Sequence, residues 1–395
     1  MTLPRKELFH LPEGVIYLDG NSLGPLPKSV TPRVSQMIED EWGGELIRAW
    51  NTAQWMDQPR RVGNLIARLV GAPENSITMG DTLSIKVYQA LASALQMRPD
   101  RRVVLSDNGN FPSDLYMAQG LLDSLGQDYE LRVVDPETVT DHINDSIAAV
   151  MLTEVDYRSG RLHNMKAITE LTHKAGAVMI WDLAHSAGAI PVDLAGSNCE
   201  FAVGCTYKYL NGGPGAPAFI YIRPDVADQV RPALSGWLGH DAPFAFELNY
   251  RPGQGVERMR VGTPAVIQMT ALEEAMKVWD GLTMDDIRAA SITLSEHFIA
   301  EVEARCPQLT LASPRNPQAR GSQVSFAFEQ GYAAMQAIID RGIIGDFRAP
   351  NIMRFGFTPL YLDLGDVAAA VDVMEQVFSE KFYEDAKYQV KSRVT

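Results

Sequence analysis

The chain is poor in cysteine, in positive charge and in long apolar runs. Its three cysteines, Cys199, Cys205 and Cys306, have neither the number nor the spacing of a disulfide framework or a metal-ligand set. Cys199 and Cys205 sit among apolar residues and read as buried thiols. Lys and Arg number 35 against 49 Asp and Glu, a net charge of −14 over 395 residues. That balance argues against a nucleic-acid-binding surface, which needs a basic face to neutralise phosphates, and against a polybasic membrane-surface protein. No run approaches the roughly 18 apolar residues that span a bilayer. The opening MTLPRKELFH lacks the apolar segment of a secretory signal, so a cytoplasmic setting is expected. Low-complexity tracts and repeats at solenoid spacing are also missing.

What is present suits a large folded core, because 46% of the residues are hydrophobic. From about residue 60 to 265 short apolar runs alternate with helical stretches. The runs 103–107, 148–152, 177–181, 201–205 and 218–222 read as buried strands, and 64–70, 83–96 and 165–175 as helices. Continuous apolar strands separated by helices predict an α/β fold with a mainly parallel sheet covered on both faces. Beyond Thr263-Pro264 the pattern changes. Helices over 265–279, 287–304 and 367–378 accompany alternating, half-exposed strands over 323–328 and 351–357, predicting a smaller α+β domain. The expected division is an N-terminal segment 1–50, a large domain 51–265 and a small C-terminal domain 266–395.

In parallel sheets ligands sit beyond the carboxyl ends of the strands, and four such ends carry polar groups. Asp182 follows the apolar run 178–181, where an unpartnered carboxylate is costly. Lys208 stands between Tyr207 and Tyr209 after the run 201–205, leading into the glycine-rich Asn211-Gly212-Gly213-Pro214-Gly215. Aromatic and apolar neighbours can desolvate an amine for nucleophilic use. Gly80-Asp81-Thr82-Leu83-Ser84 opens a helix whose N-terminus can cradle a phosphate. Phe111 and Asp114 follow the run 103–106 and offer a ring to stack on a planar group. Each feature alone has an ordinary structural reading: a cap, a surface lysine, a turn. Together they match what pyridoxal phosphate requires, namely a lysine imine, an acid to keep the ring nitrogen protonated, and a phosphate cradle.

Three segments carry a more specific signal: Tyr17-Leu18-Asp19-Gly20-Asn21-Ser22-Leu23-Gly24, Trp181-Asp182-Leu183-Ala184-His185-Ser186-Ala187-Gly188, and Tyr207-Lys208-Tyr209-Leu210-Asn211-Gly212-Gly213-Pro214-Gly215. With Pro350-Asn351-Ile352-Met353-Arg354 and Pro359-Leu360-Tyr361 further on, the chain resembles the kynureninases, pyridoxal 5′-phosphate enzymes of fold type I (class V aminotransferase-like). The resemblance begins near Leu11 and implies a homodimer. It implies that Lys208 forms the Schiff base, that Asp182 pairs with the ring nitrogen and that His185 lies beside the cofactor. Tyr207 would bind the phosphate and move protons, and Thr82 and Leu83 would give it backbone contacts. Phe111 would stack on the ring with Asp114 nearby, and Thr153 would stand close to the cofactor. Trp237 and Thr263 would complete the phosphate site of a neighbouring subunit. Arg354 would clamp the substrate carboxylate bidentately, with Ser22 and Trp50 around the aromatic end. Trp50 and Thr263 match the bacterial type and favour L-kynurenine over its 3-hydroxy derivative.

The implied reaction is hydrolysis of L-kynurenine to anthranilate and L-alanine. Lys208 would remove the Cα proton, water would add to the γ-carbonyl, and collapse would break the Cβ–Cγ bond. Tyr207, with its phenol pKa lowered by cationic surroundings, is the expected acid–base. Two other readings stay open at this point. A cysteine desulfurase, selenocysteine lyase or aminotransferase of the same class shares Lys208 and Asp182; a desulfurase would need a reactive cysteine, for which Cys306 is the candidate. A catalytically inert binding protein would need these residues to serve no chemistry.

Overall fold

The computed structural model describes residues 3–126 and 128–390; the outermost residues of the first and last expected segments lie outside them. In chain order its strands are β1 (Ile16–Tyr17), β2 (Ile77–Met79), β3 (Val103–Asp107), β4 (Glu130–Val134), β5 (Ile147–Thr153), β6 (Val178–Asp182), β7 (Phe201–Gly204), β8 (Phe219–Ile222), β9 (Thr310–Leu311), β10 (Gln323–Ala327), β11 (Ile343–Ile344), β12 (Asp346–Arg348) and β13 (Ile352–Gly356). Seven of them form one sheet, in the order β2-β8-β7-β6-β5-β3-β4. From β4 through β7 every pairing is parallel, while β8 runs antiparallel to both its neighbours. The parallel strands need crossovers, which the helices Pro112–Ser124 and Met165–Lys174 supply.

Successive residues of the central strands serve two different cores. Val150, Leu152, Met179 and Trp181 point into one, and Ala149, Met151, Val178 and Ile180 into the other. This is why the runs are apolar without alternation: both faces are covered, and each large aliphatic or aromatic side chain so buried contributes about 1.5–3 kcal/mol. The helix Leu83–Met97 lies over the second core through Val87, Leu91 and Ala94.

A four-stranded antiparallel sheet, β12-β13-β10-β9, follows later in the chain. Its strands were expected to be half exposed, and they are not. Val324 and Phe326 enter the core, while the alternate residues Gln323 and Ser325 are just as buried. The Ser325 hydroxyl donates to Arg158 O at 2.6 Å and the Gln323 amide to Tyr157 O at 3.0 Å. The polar face of β10 thus meets the main chain of the loop after β5 rather than water, which alternation alone cannot reveal. Phe298, from the helix Met284–Arg305, anchors the other face with its ring 5.0 Å from those of Phe355 and Phe357.

The N-terminal segment joins the two sheets. Strand β1 pairs in parallel with β11, and beyond it Leu18 N donates to Ile344 O and Gly356 N to Leu18 O, both at 2.7 Å. A few residues later Gly24 N donates to Tyr207 O at 2.8 Å. Only glycine fits there, since a Cβ on Gly24 would stand 2.3 Å from Lys208 O.

Candidate active site

The carboxyl ends of β5, β6 and β7 open into a cavity of about 200 Å³ lined in part by Ser22, Leu83, Phe111, Asp114, Thr153, Asp182, His185, Tyr207, Lys208 and Arg354. Register places them there: Thr153 is paired with Asp182 across β5 and β6, and Asp182 with Val203 across β6 and β7. Lys208 lies just past the end of β7, in a turn fixed at both ends. Gly212 N donates to Thr206 O at 2.9 Å, and Asn211, in the left-handed region at φ 59°, donates from its backbone to Lys208 O at 3.0 Å.

Lys208 Nζ lies 2.9 Å from His185 Nε2 and 5.8 Å from the Tyr207 ring centroid. Burial first, then the Lys208 charge, hold the His185 imidazole well below its usual pKa. The ring is therefore neutral, and Nε2 accepts from the ammonium. Asp182 Oδ1 accepts from Ala184 N at 2.9 Å. Burial lifts Asp182 to about 6 against the pull of Lys208. Asp114 is lifted well above the carboxylate range by burial and then by the Asp182 charge. Of the two carboxyls Asp114 is lifted further, so Asp182 is the one that ionises first.

Two expectations need correction. The Tyr207 phenol is raised, not lowered, by Cys205, by burial and by the carboxyls of Asp182 and Asp114. It is a neutral donor at physiological pH, and an added anionic phosphate can only strengthen that bias. Arg354 does not present a bidentate edge to the cavity. Its Nε donates to Asp346 Oδ1 at 2.5 Å, Nη2 to Asp346 Oδ2 and to Ser22 Oγ, and Nη1 to Tyr157 O. Those bonds occupy all but one of the five N–H groups of a guanidinium, and the one left is on Nη1. Beside it Arg348, unread in the sequence, lines the same cavity and reaches Asp346 Oδ2 at 2.9 Å.

Other contributors were missed too. Asn21 lines the cavity with its buried amide unpartnered, and Ser84 lines it with Ser113, their hydroxyls 3.0 Å apart. Asp346 gave no signal because the strand it opens, Asp346–Arg348, is too short to recognise. Thr82 caps the helix Leu83–Met97, its hydroxyl accepting from Ile85 N at 3.5 Å, and it is not part of the cavity lining.

Trp50, Trp237 and Thr263 are not brought to Lys208. They line a separate surface cavity with Ile47, Met56 and Phe244. The exposed ring of Phe246 meets Phe244 edge-on, their centroids 6.3 Å apart. None of the cysteines offers a reactive thiol: burial pushes Cys306 up to about 11 and Cys199 to about 12, and raises Cys205. Cys306 also sits at the end of the helix Met284–Arg305, outside the cavity lining.

The residues fit pyridoxal phosphate on chemical grounds. Buried polar atoms lacking a partner, His185 Nδ1 and Asp114 Oδ2, border a cavity that also holds an amine, an ionised carboxylate and a helix N-terminus. Such groups call for a polar ligand.

Comparison with known proteins agrees. Residues 287–374 match the family described as the kynureninase C-terminal domain. A kynureninase of Pseudomonas fluorescens is 47% identical over 99% of this chain and 96% of its own. One from Burkholderia mallei is 46% identical with the same coverage. Among solved structures, a cysteine desulfurase of Thermococcus onnurineus superposes with a TM-score of 0.81 at 18% identity, covering 96% of this chain and 99% of that one. A desulfurase of Escherichia coli gives 0.79 at 16% identity, over 95% and 98%. These two likenesses concern the fold.

Proposed function

The chain belongs to the kynureninase family, and from that premise we propose that its cavity holds pyridoxal 5′-phosphate and hydrolyses L-kynurenine to anthranilate and L-alanine, a step of tryptophan degradation. The observation that carries this reading is the convergence of Lys208, Asp182, His185 and Arg354 on one cavity although they lie on or just past three separate strands, β7, β6 and β13. The cofactor, when bound, withdraws electrons from the substrate's α-carbon and makes Cβ–Cγ cleavage accessible.

The residues divide the remaining work. Lys208 would hold the cofactor covalently, and its free amine would be the base for the Cα proton. His185, kept neutral, accepts from Nζ and orients it. Ionised Asp182 would hold the ring nitrogen protonated, with Asp114 the less acidic carboxyl next to it. Leu83 and Ser84 offer main-chain N–H groups to the phosphate. Tyr207 delivers a proton from its neutral phenol. The substrate carboxylate meets Nη1 of Arg354 with Arg348 beside it, while Asn21 and Ser22 border the pocket.

The apolar surface around Trp50, Trp237 and Thr263 supports a homodimer in which these residues serve the partner's site. No helix among the described residues is long and apolar enough to cross a membrane, and a cytoplasmic setting with small-molecule chemistry fits this.

Adding L-kynurenine to the cofactor-loaded protein should release fluorescent anthranilate; absence of product would overturn the reading. With Trp50 and Thr263 in place, kcat/KM should favour L-kynurenine over its 3-hydroxy form by about tenfold or more, the range one hydroxyl gives in an apolar pocket. Asp182→Asn keeps the Ala184 bond but not the charge. It should lower kcat by about a hundredfold, the scale of one preorganised electrostatic contact, with the protein still folded by circular dichroism.

A further inference from the structure

Lys86 is a fully buried lysine that the chemistry above does not use. It stands in the first turn of the helix Leu83–Met97, where the chain-start end of the dipole already favours anions and opposes a cation. Its ammonium lies 3.3 Å from Asp81 Oδ2, 2.9 Å from Gln89 Oε1 and 3.4 Å from Met259 O. It also lies 3.9 Å from where a Cβ on Gly80 would be, which places it beneath the Gly80-Asp81-Thr82 turn.

Lys86 is not needed to shape that turn. Gly80 N donates to Ala218 O and Ala218 N to Asp81 O, both at 3.0 Å, so the residue leading into β8 pins the main chain twice. Nor is it needed to satisfy Met259 O, which accepts from the Gln89 amide at 3.0 Å. Its one countercharge, Asp81, is about a third exposed and therefore screened. A buried cation under a helix N-terminus with a weak counterion is costly, unless an anion sits on the other side of the turn.

We propose that Lys86 is a positioning residue: its positive charge holds the cofactor's phosphate at the N-terminus of the helix Leu83–Met97, acting through the turn without touching the reacting atoms. The inference rests on reading the cavity as a pyridoxal phosphate site and adds to it a charge that the cavity lining does not include.

The test titrates the full-length protein, freed of cofactor, with pyridoxal 5′-phosphate and separately with pyridoxal, which lacks the phosphate. Lys86→Met should weaken pyridoxal phosphate about tenfold, a partly buried charge–dipole effect, and leave pyridoxal unchanged. Lys86→Gln, which keeps hydrogen-bonding capacity, should do the same and serves if the Met variant folds poorly. Asp81→Asn removes a competing anion and should tighten pyridoxal phosphate. Parallel losses for both aldehydes, or an Asp81→Asn change in the same direction as Lys86→Met, would show Lys86 to be a structural prop and overturn the proposal. An unaltered protein that takes up neither aldehyde would overturn the cofactor reading itself, a result distinct from either.

Discussion

Lys208→Ala should reduce anthranilate release by about ten-thousandfold, the upper range for loss of a group that acts as both nucleophile and base. It should do so without unfolding the protein. The reason is local: Nζ makes one side-chain hydrogen bond, to His185 Nε2, and the backbone of residues 206–212 is held by its own turn bonds. Reduction with borohydride should then fix no cofactor on the variant, while far-ultraviolet dichroism stays unchanged. Turnover at the wild-type rate would show that another amine does the chemistry. Within the cavity no other lysine is available, since the remaining cations in its lining are Arg348 and Arg354.

Arg354→Met should cost stability as well as substrate binding. Removing one partner of a buried ion pair typically costs about 3–5 kcal/mol. Here the lower end is expected, because Asp346 keeps Arg348 at 2.9 Å. The pH dependence gives the effect a signature. In the unaltered protein Asp346 is held below its usual value by Arg354 and Arg348 against the cost of burial. Its contribution is complete above the unfolded value and is lost only as pH falls through the depressed folded one. Asp19, close by, behaves oppositely: burial and the Asp346 charge lift it to about 7. Without Arg354 both carboxyls should favour protonation, so stability of the variant should fall as pH rises from 5 to 8. Urea midpoints at the two pH values check this; a pH-independent deficit would mean that lost packing, not charge, dominates. KM for L-kynurenine should rise more than kcat falls, as expected when uniform binding is removed.

The parts of this molecule that were legible in the sequence are those where one requirement dominates. Strands β5, β6 and β7 are buried on both faces, so their runs are uninterrupted, and the groups that end them stand out. Lys208 and Asp182 were found that way. Strands such as Ile77–Met79 or Asp346–Arg348 are three residues long and leave no period to read, which hid Asp346 and Arg348. Lys86 resembles any solvated helix lysine, because its burial depends on the chain near Met259, far away in sequence. Arg354 was found but its orientation was not. Which edge of a guanidinium faces a ligand depends on who holds the other edge, and Asp346 is eight residues upstream on a neighbouring strand. The phenol of Tyr207 was misjudged because the lysine beside it was weighed alone, while Cys205 and burial, with the carboxyls of Asp182 and Asp114, outweigh it in the fold.

The stretch from Ile16 to Gly24 has a consequence for how the chain can be divided. It pairs with β11 at one end and lies against the Lys208 turn at the other, while Ser22 between them donates to Asp346 at 2.6 Å. A fragment ending near residue 265 would retain Lys208 and Asp182, yet lose the strand that seats its own first residues. A fragment starting there would keep both arginines but lose the serine that shares Asp346 with them. The two halves are therefore not interchangeable modules: the earliest residues of the polypeptide are the clasp that makes them one enzyme, and swapping either half into a relative would have to carry that clasp along.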